Sequence, residues 1–158
     1  MKKILVIHAL LLTSVSVYAQ DIKTSVVPEA VKQSFSKLYP KATDVEWEKE
    51  EGNYEAQFKH NKEKTDVLFT AAGKHIQTET KLASASELPA AIANTLKKDF
   101  SGYEVEETEK VMTAEGKQLY KVKAEMKEKE YELLFDASGV LLKKTEEPSE
   151  KKEADHKK

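Results

Sequence analysis

The sequence predicts an α+β fold of two tandem copies, each one helix packed on a four-stranded antiparallel meander. Three observations predict it. The first is an internal repeat: Leu68-Phe69-Thr70-Ala71-Ala72-Gly73-Lys74-His75-Ile76 returns 66 positions later as Leu134-Phe135-Asp136-Ala137-Ser138-Gly139-Val140-Leu141-Leu142. Such self-similarity shapes every later reading of a chain. The second is an upstream echo at an offset of 61, where Val27-Pro28-Glu29-Ala30-Val31 matches Leu88-Pro89-Ala90-Ala91-Ile92. The third is a change of apolar period, from helical to alternating, after each Pro-led segment. The change of offset places about five extra residues in the second copy, around Val111 to Gly116. Turns tolerate insertions better than elements do. Two copies joined by a short linker imply two sheets side by side, each under its own helix.

The first helix is expected from Pro28 to Leu38. Ala30, Val31, Ser34, Phe35 and Leu38 fall on one stripe. Pro is tolerated in a first turn, where its missing N–H costs nothing. Tyr39-Pro40 ends the helix, because the residue before Pro is pushed out of the α region. Thr43 to Glu50 then alternates, with Val45 and Trp47 on one side and Asp44, Glu46 and Glu48 on the other. That is the pattern of a half-buried strand. Gly52-Asn53 turns the chain into a strand carrying Tyr54, Ala56 and Phe58. His60-Asn61-Lys62 turns it again, Asp66 to Thr70 is the third strand, and Lys74 to Lys81 the fourth.

In the second copy, a helix from Pro89 to Phe100 carries Ala91, Ile92, Thr95 and Leu96 on its stripe. Strands follow at Tyr103 to Thr113, Lys117 to Met126, Glu130 to Asp136 and Val140 to Thr145. The domain boundaries are thus 20–82 and 83–147.

Residues 1–19 read as a cleaved secretory signal peptide. Lys2 and Lys3 precede the apolar stretch Ile4 to Val17, and Val17-Tyr18-Ala19 fits the cleavage pattern before Gln20. The apolar run is too short for a stable transmembrane span. No Cys stands near the cleavage site, which excludes a lipoprotein anchor. The expected address is periplasmic, with no membrane insertion after cleavage. Residues 148–158 are charged, lack an apolar anchor and are expected to be a disordered tail.

Without Lys2 and Lys3 the chain has 24 basic and 28 acidic residues, a formal charge of −4, and no Arg. Nucleic-acid binding is disfavoured, since it asks for a basic patch and bidentate phosphate contacts. The absence of Cys removes thiol chemistry, thiolate metal sites and disulfide staples.

A search for catalytic constellations finds none. The five glycines are singletons at turns, so no phosphate loop exists. No Ser sits in a nucleophile elbow. Asp136-Ala137-Ser138-Gly139 lacks the later ligands of a Ca²⁺ loop. His75 with Asp66 across a hairpin is the one pair that could hold a metal ion, against the plainer reading of a solvated His beside a turn. Glu46, Glu48, Glu50, Glu51, Glu55, Glu104, Glu106, Glu107 and Glu109 alternate with apolar residues, which puts them on a solvated strand face. Paired carboxylates could do acid–base work only if one were desolvated. The chain is therefore read as no enzyme, with no cofactor.

Pro-x-x-Val with a following Tyr-Pro, then Val45-x-Trp47, Gly52-x-Tyr54-x-Ala56-x-Phe58 and Phe69-x-x-x-Gly73, resembles the PepSY-like, β-lactamase-inhibitor-like family of exported Bacteroidetes proteins. The resemblance covers about Val26 to Glu147. The second copy departs from it, with Glu107 near where Trp47 would align and Ser101-Gly102 in place of the Pro after the helix. The resemblance implies tandem units as in the secreted β-lactamase inhibitor proteins, whose joined sheets form a concave surface. It also implies a binding or inhibitory role in the envelope. Inhibition of a β-lactamase does not follow, because no target-contacting residue carries over.

The functional expectation is a non-catalytic module that recognises an envelope protein or peptide. The alternative is a small-ligand or metal-ion binding protein. Helices cover one face of each sheet, so Leu68, Leu119, Leu134 and Leu141, read as outward-facing, must pack between copies or meet a partner. They are the candidate interaction surface. Trp47 is read first as core, on the same face as Val45, and second as an anchor in a binding groove.

Overall fold

The computed structural model describes residues 20–147. The expected signal peptide and charged tail lie outside them. Nine antiparallel strands form one sheet in sequential order: β1 Gln20–Ile22, β2 Glu46–Glu50, β3 Asn53–His60, β4 Glu63–Phe69, β5 His75–Lys81, β6 Glu104–Thr113, β7 Gln118–Met126, β8 Lys129–Asp136 and β9 Leu141–Glu146. Two helices, α1 Glu29–Leu38 and α2 Ala90–Asp99, pack on the same face of that sheet. Each is preceded by a short 3₁₀ turn, Thr24–Val26 or Ala85–Glu87.

Two separate sheets were expected, and the chain forms one. β5 pairs β6 from Gln77↔Thr113 to Lys81↔Glu109, and Ala114 N–H donates to Ile76 C=O at 2.8 Å beyond the end of that ladder. The five additional residues extend that ladder at one end. Glu50↔Asn53 closes the two-residue β2–β3 turn, whereas the β6–β7 hairpin runs on past Val111↔Leu119 to Met112↔Gln118. The insertion lengthens a strand as well as a turn, and the extra length reaches β5. Trp47 lies opposite Ala56, and its counterpart opposite Val122 is Thr108, not Glu107, in keeping with the offset of 61 that relates the two helices.

The first lead-in is likewise more than a linker, since Gln20–Ile22 pairs with β2 and sets Ile22 opposite Trp47. Three residues of edge carry too little pattern to be read as a strand. Their pairing comes from backbone groups that need partners.

The core lies in two clusters. Under α1, Val31 and Phe35 meet Trp47, Tyr54, Ala56, Phe58, Val67 and Phe69. Phe35 sits edge-on to Trp47 at 5.4 Å and to Phe58 at 5.1 Å between ring centroids. Aromatic pairs of this geometry add about 1 kcal/mol each beyond their buried area. Under α2, Ile92 meets Tyr120, Val122, Tyr131, Leu133 and Phe135. Each fully buried side chain of this size contributes roughly 2 kcal/mol. Between the clusters the helix face of β5 shows Thr78 and Thr80, neither fully buried, so backbone pairing rather than apolar packing carries the join.

The repeated motif is a tight turn docked on a helix. In the second half Asp136 Oδ1 accepts from the backbone N–H of Ser138 at 2.9 Å and of Val140 at 3.1 Å. These bonds and the Ser138 hydroxyl hold the Asp136 carboxyl below the usual range. Thr70 plays a similar part, accepting from Lys74 N–H at 3.2 Å. The Asp136 series that resembles a fragment of a Ca²⁺ loop is therefore a turn built from local side chain to backbone bonds.

Candidate functional site

Because opposed residues share a face, the strand registers divide the sheet into two sides. Trp47, Tyr54, Phe58, Phe69, Val122 and Phe135 face the helices. Glu48, Glu55, Asp66, Leu68, Glu79, Glu109, Val111, Leu119, Lys121 and Leu134 face the other way. Among the described residues no helix lies on that second face.

The candidate residues divide accordingly. Leu68, Leu119 and Leu134 do share the uncovered face. Leu68 and Leu134 are half-buried, and Leu119 is buried beside its cross-strand partner Val111. Leu141 does not join them. A bulge at β9 sets it opposite Phe135, on the helix side of an edge strand, and leaves it exposed. Trp47 is 4 % exposed and packed on Phe35, so it has no free surface with which to anchor a partner. Its alternation with Val45 carried the core reading.

The His75–Asp66 pair is divided by the sheet. His75 Nε2 lies 3.0 Å from Thr78 Oγ1 and its ring abuts Phe69, on the helix side, while Asp66 sits on the uncovered side. One metal ion cannot reach both.

The middle of the uncovered face carries buried charge that alternation alone assigned to solvent. Lys121 contacts Glu79, lies 3.0 Å from Glu109 and 4.0 Å from Glu132. The four residues come from β7, β5, β6 and β8, so the cluster straddles the β5–β6 join. Burial alone would lower the Lys121 ammonium, but Glu79 and Glu109 outweigh it and hold it above the ordinary lysine value. Burial pushes the Glu79 carboxyl up to about 7, with Lys121 partly opposing and Glu109 reinforcing the rise. Two poorly hydrated carboxylates share one ammonium, and Glu79 is the one that burial pushes toward neutrality.

A second group lies on β2 to β4. Asp66 is 8 % exposed, and burial pushes its carboxyl up to about 6. Lys64, 3.3 Å from its Oδ2, opposes the rise, and Glu55 and Glu109 add to it. Asp66 Oδ1 is buried with no hydrogen-bond partner among the described residues. Burial also raises Glu55 and Glu48, the latter aided by Asp21. Gln57 Nε2 donates to Glu55 at 2.8 Å. Beside this group a cleft of about 420 Å³ is lined by Glu46, Gln57, Lys59 and Lys64 among others.

These carboxylates were legible as a face but not as buried. For the central cluster, seeing that required the β5–β6 pairing, which places Glu79 beside Val111 and so beside the Glu109–Lys121 pair of the β6–β7 hairpin.

The folded pKa of Asp66, about 6, lies above the ordinary 3.8. A carboxyl so raised adds stability below about pH 4, and that contribution is lost as pH rises through about 6. Asp66→Asn should remove this share of the pH dependence. Discounted for screening by solvent, it should stabilise the fold by about 1–2 kcal/mol at pH 7.5 and by little at pH 4. Thermal melts at the two pH values check this; a destabilised variant at pH 7.5 would show that the carboxylate is a net support of the fold.

A family model described as "Putative beta-lactamase-inhibitor-like, PepSY-like" matches residues 13–77 and 52–143. The chain belongs to the PepSY-like family. Solved structures agree with that assignment. A "putative periplasmic" protein from Bacteroides eggerthii superposes with a TM-score of 0.69 at 25% identity, over 76% of this PepSY-like chain and 88% of its own. A DUF2874 family protein from Bacteroides ovatus gives 0.68 at 27% identity, over 75% and 86%. A BLIP-like protein from Bacteroides fragilis gives 0.64 at 27% identity, over 75% and 86%. No curated protein matches the chain. The PepSY-like assignment covers the strands that build the uncovered face and both helices behind it.

Proposed function

We propose that this PepSY-like chain is an exported, non-catalytic binding module that recognises an envelope protein or peptide through the uncovered face of its sheet. The observation that carries this reading is a face that sets Leu68, Val111, Leu119 and Leu134 around the central charged cluster, with no helix over it among the described residues. Apolar side chains set among charged ones are the composition of a protein-recognition surface. The inhibitor-like family and the BLIP-like relative support a binding role over catalysis. The "putative periplasmic" relative and the signal-like leader support export. Among the described residues no helix is long and apolar enough to cross a membrane.

The test is a pull-down from the native organism's envelope extract with residues 20–158 as bait. A Leu68→Ala/Leu134→Ala variant serves as the comparison, with mass spectrometry as the readout. Half-buried leucines cost about 1–2 kcal/mol each on truncation, which a two-core sheet should survive. One protein enriched by the wild type and lost with a folded variant is the expected result. Equal capture by both would remove the uncovered face as the binding site.

A further inference from the structure

The β2–β4 part of the uncovered face carries more acid than base, with Asp66 buried and Glu48 and Glu55 half-buried. Asp66 and Glu55 are diagonal neighbours, since Gln57 lies opposite Asp66 and Glu55 opposite Leu68. Side chains so placed approach within reach of one bound group. Glu48 lies opposite Glu55 and Asp21 opposite Glu48, continuing the acidic row to the sheet edge. The cations nearby are committed or exposed. Lys64 bonds Asp66 from an exposed position, Lys81 holds Glu107 at 2.6 Å, and Lys121 is ringed by Glu79, Glu109 and Glu132.

Independently of that charge count, Asp66 is buried and its Oδ1 accepts no hydrogen bond among the described residues. A buried carboxylate oxygen left without a donor costs free energy that a cation carrying N–H groups recovers on binding. Leu68, next in line on the same face, offers apolar surface for the aliphatic stem of such a side chain.

We infer that this patch is the receptor for an arginine or lysine side chain of the partner protein, anchored on Asp66 with Glu55 as the second acceptor. This rests on the uncovered face being the binding surface and adds what the partner must present there. Binding is then coupled to protons. The charged groups facing Asp66 are Lys64 on β4, Glu55 and Lys59 on β3, Glu46 and Glu48 on β2, Glu79 and Lys81 on β5, and Glu109 on β6. A cation bound among these acids releases protons on arrival, so affinity rises with pH through the range where Asp66 ionises.

The probe is the peptide acetyl-Gly-Arg-Gly-Arg-Gly-amide, with the same peptide carrying citrulline for arginine as the neutral control. Amide chemical shifts of the mature chain are followed on titration. The expected result is movement centred on Glu55, Gln57, Asp66 and Leu68 for the arginine peptide alone. Affinity should weaken about tenfold from pH 7.5 to pH 5, and by at least about tenfold in Asp66→Asn at pH 7.5. Equal shifts with the citrulline peptide, no movement on β2–β4, or unchanged affinity in Asp66→Asn would each overturn the inference. Loss of Asp66→Asn shifts into residues 151–158 without peptide would assign the patch to the chain's own terminal lysines and overturn the partner. The envelope pull-down separates the two levels. A protein captured equally by wild type and Asp66→Asn, yet lost with the leucine variant, keeps the face as the binding site and removes the cation anchor.

Discussion

Gly73→Ala should destabilise the fold by about 3 kcal/mol or more, while Gly52→Ala costs about 1 kcal/mol. Both glycines occupy positive φ, +78° and +84°. An L-residue there carries a steric cost of roughly 1–2 kcal/mol. The two differ in surroundings. A Cβ on Gly73 would stand 2.4 Å from the carbonyl oxygen of Ala30 and 2.7 Å from its carbonyl carbon, whereas a Cβ on Gly52 meets nothing within 4 Å. Overlap with helix backbone cannot be relieved by a rotamer change, so α1 must shift off Val67 and Phe69. Overpacking of that kind adds about 1–3 kcal/mol. Gly139, against Ala91 of α2 at 2.7 Å, repeats the arrangement in the second half. Urea unfolding of the two variants measures the difference. Equal losses would mean that the turn and helix are not in rigid contact.

Lys121→Met should cost about 2–4 kcal/mol at pH 7.5 and much less at pH 5. The side chain of Lys121 is 18 % exposed, and those of Glu79 and Glu109 are 13 % and 11 % exposed. Removing the ammonium leaves two carboxylates in a poorly hydrated site, and breaking a buried pair costs more than the pair itself contributes. In the wild type the ammonium is held above the ordinary 10.5, so its contribution is fully present below that pH and is lost only as pH rises further. In the variant both carboxylates lose their counter-charge, and Glu79, already raised by burial, rises further. The penalty is then absent below about pH 4.5 and grows as pH rises through that raised value. Adding Glu79→Gln and Glu109→Gln should recover most of the loss at pH 7.5, since no unpaired charge then remains. A pH-independent loss, unrelieved by the added substitutions, would assign Lys121 a packing role instead. Because the cluster spans β5 to β8, its failure should also loosen the join between the two cores.

The sequence by itself determined the elements and the faces of their core residues, although the β9 bulge puts Leu141 on the helix side rather than the second face. Phe35, Trp47, Tyr54, Phe58 and Phe69 could be assigned to one core, and Ile92, Val122, Leu133 and Phe135 to another, from spacing alone. Burial of large apolar side chains is strong enough per residue to imprint a period on the chain. Both helices and eight of the nine strands, the exception being β1, were visible for that reason. The family was visible as well, because its motifs are core and turn residues.

Only the tertiary structure decided how the halves join and what lies on the second face. β5 reads His75-Ile76-Gln77-Thr78-Glu79-Thr80-Lys81, polar on both sides from Gln77 onward, and its ladder to β6 is made by backbone groups common to every residue. Such pairing has no side-chain signature. Once made, it sets Glu79 beside Val111 and within reach of Lys121, which the β6–β7 hairpin already pairs with Glu109, turning carboxylates that alternation assigned to water into a half-buried charged cluster. Charge burial is a property of neighbours brought together from several strands. A period along one strand cannot report it.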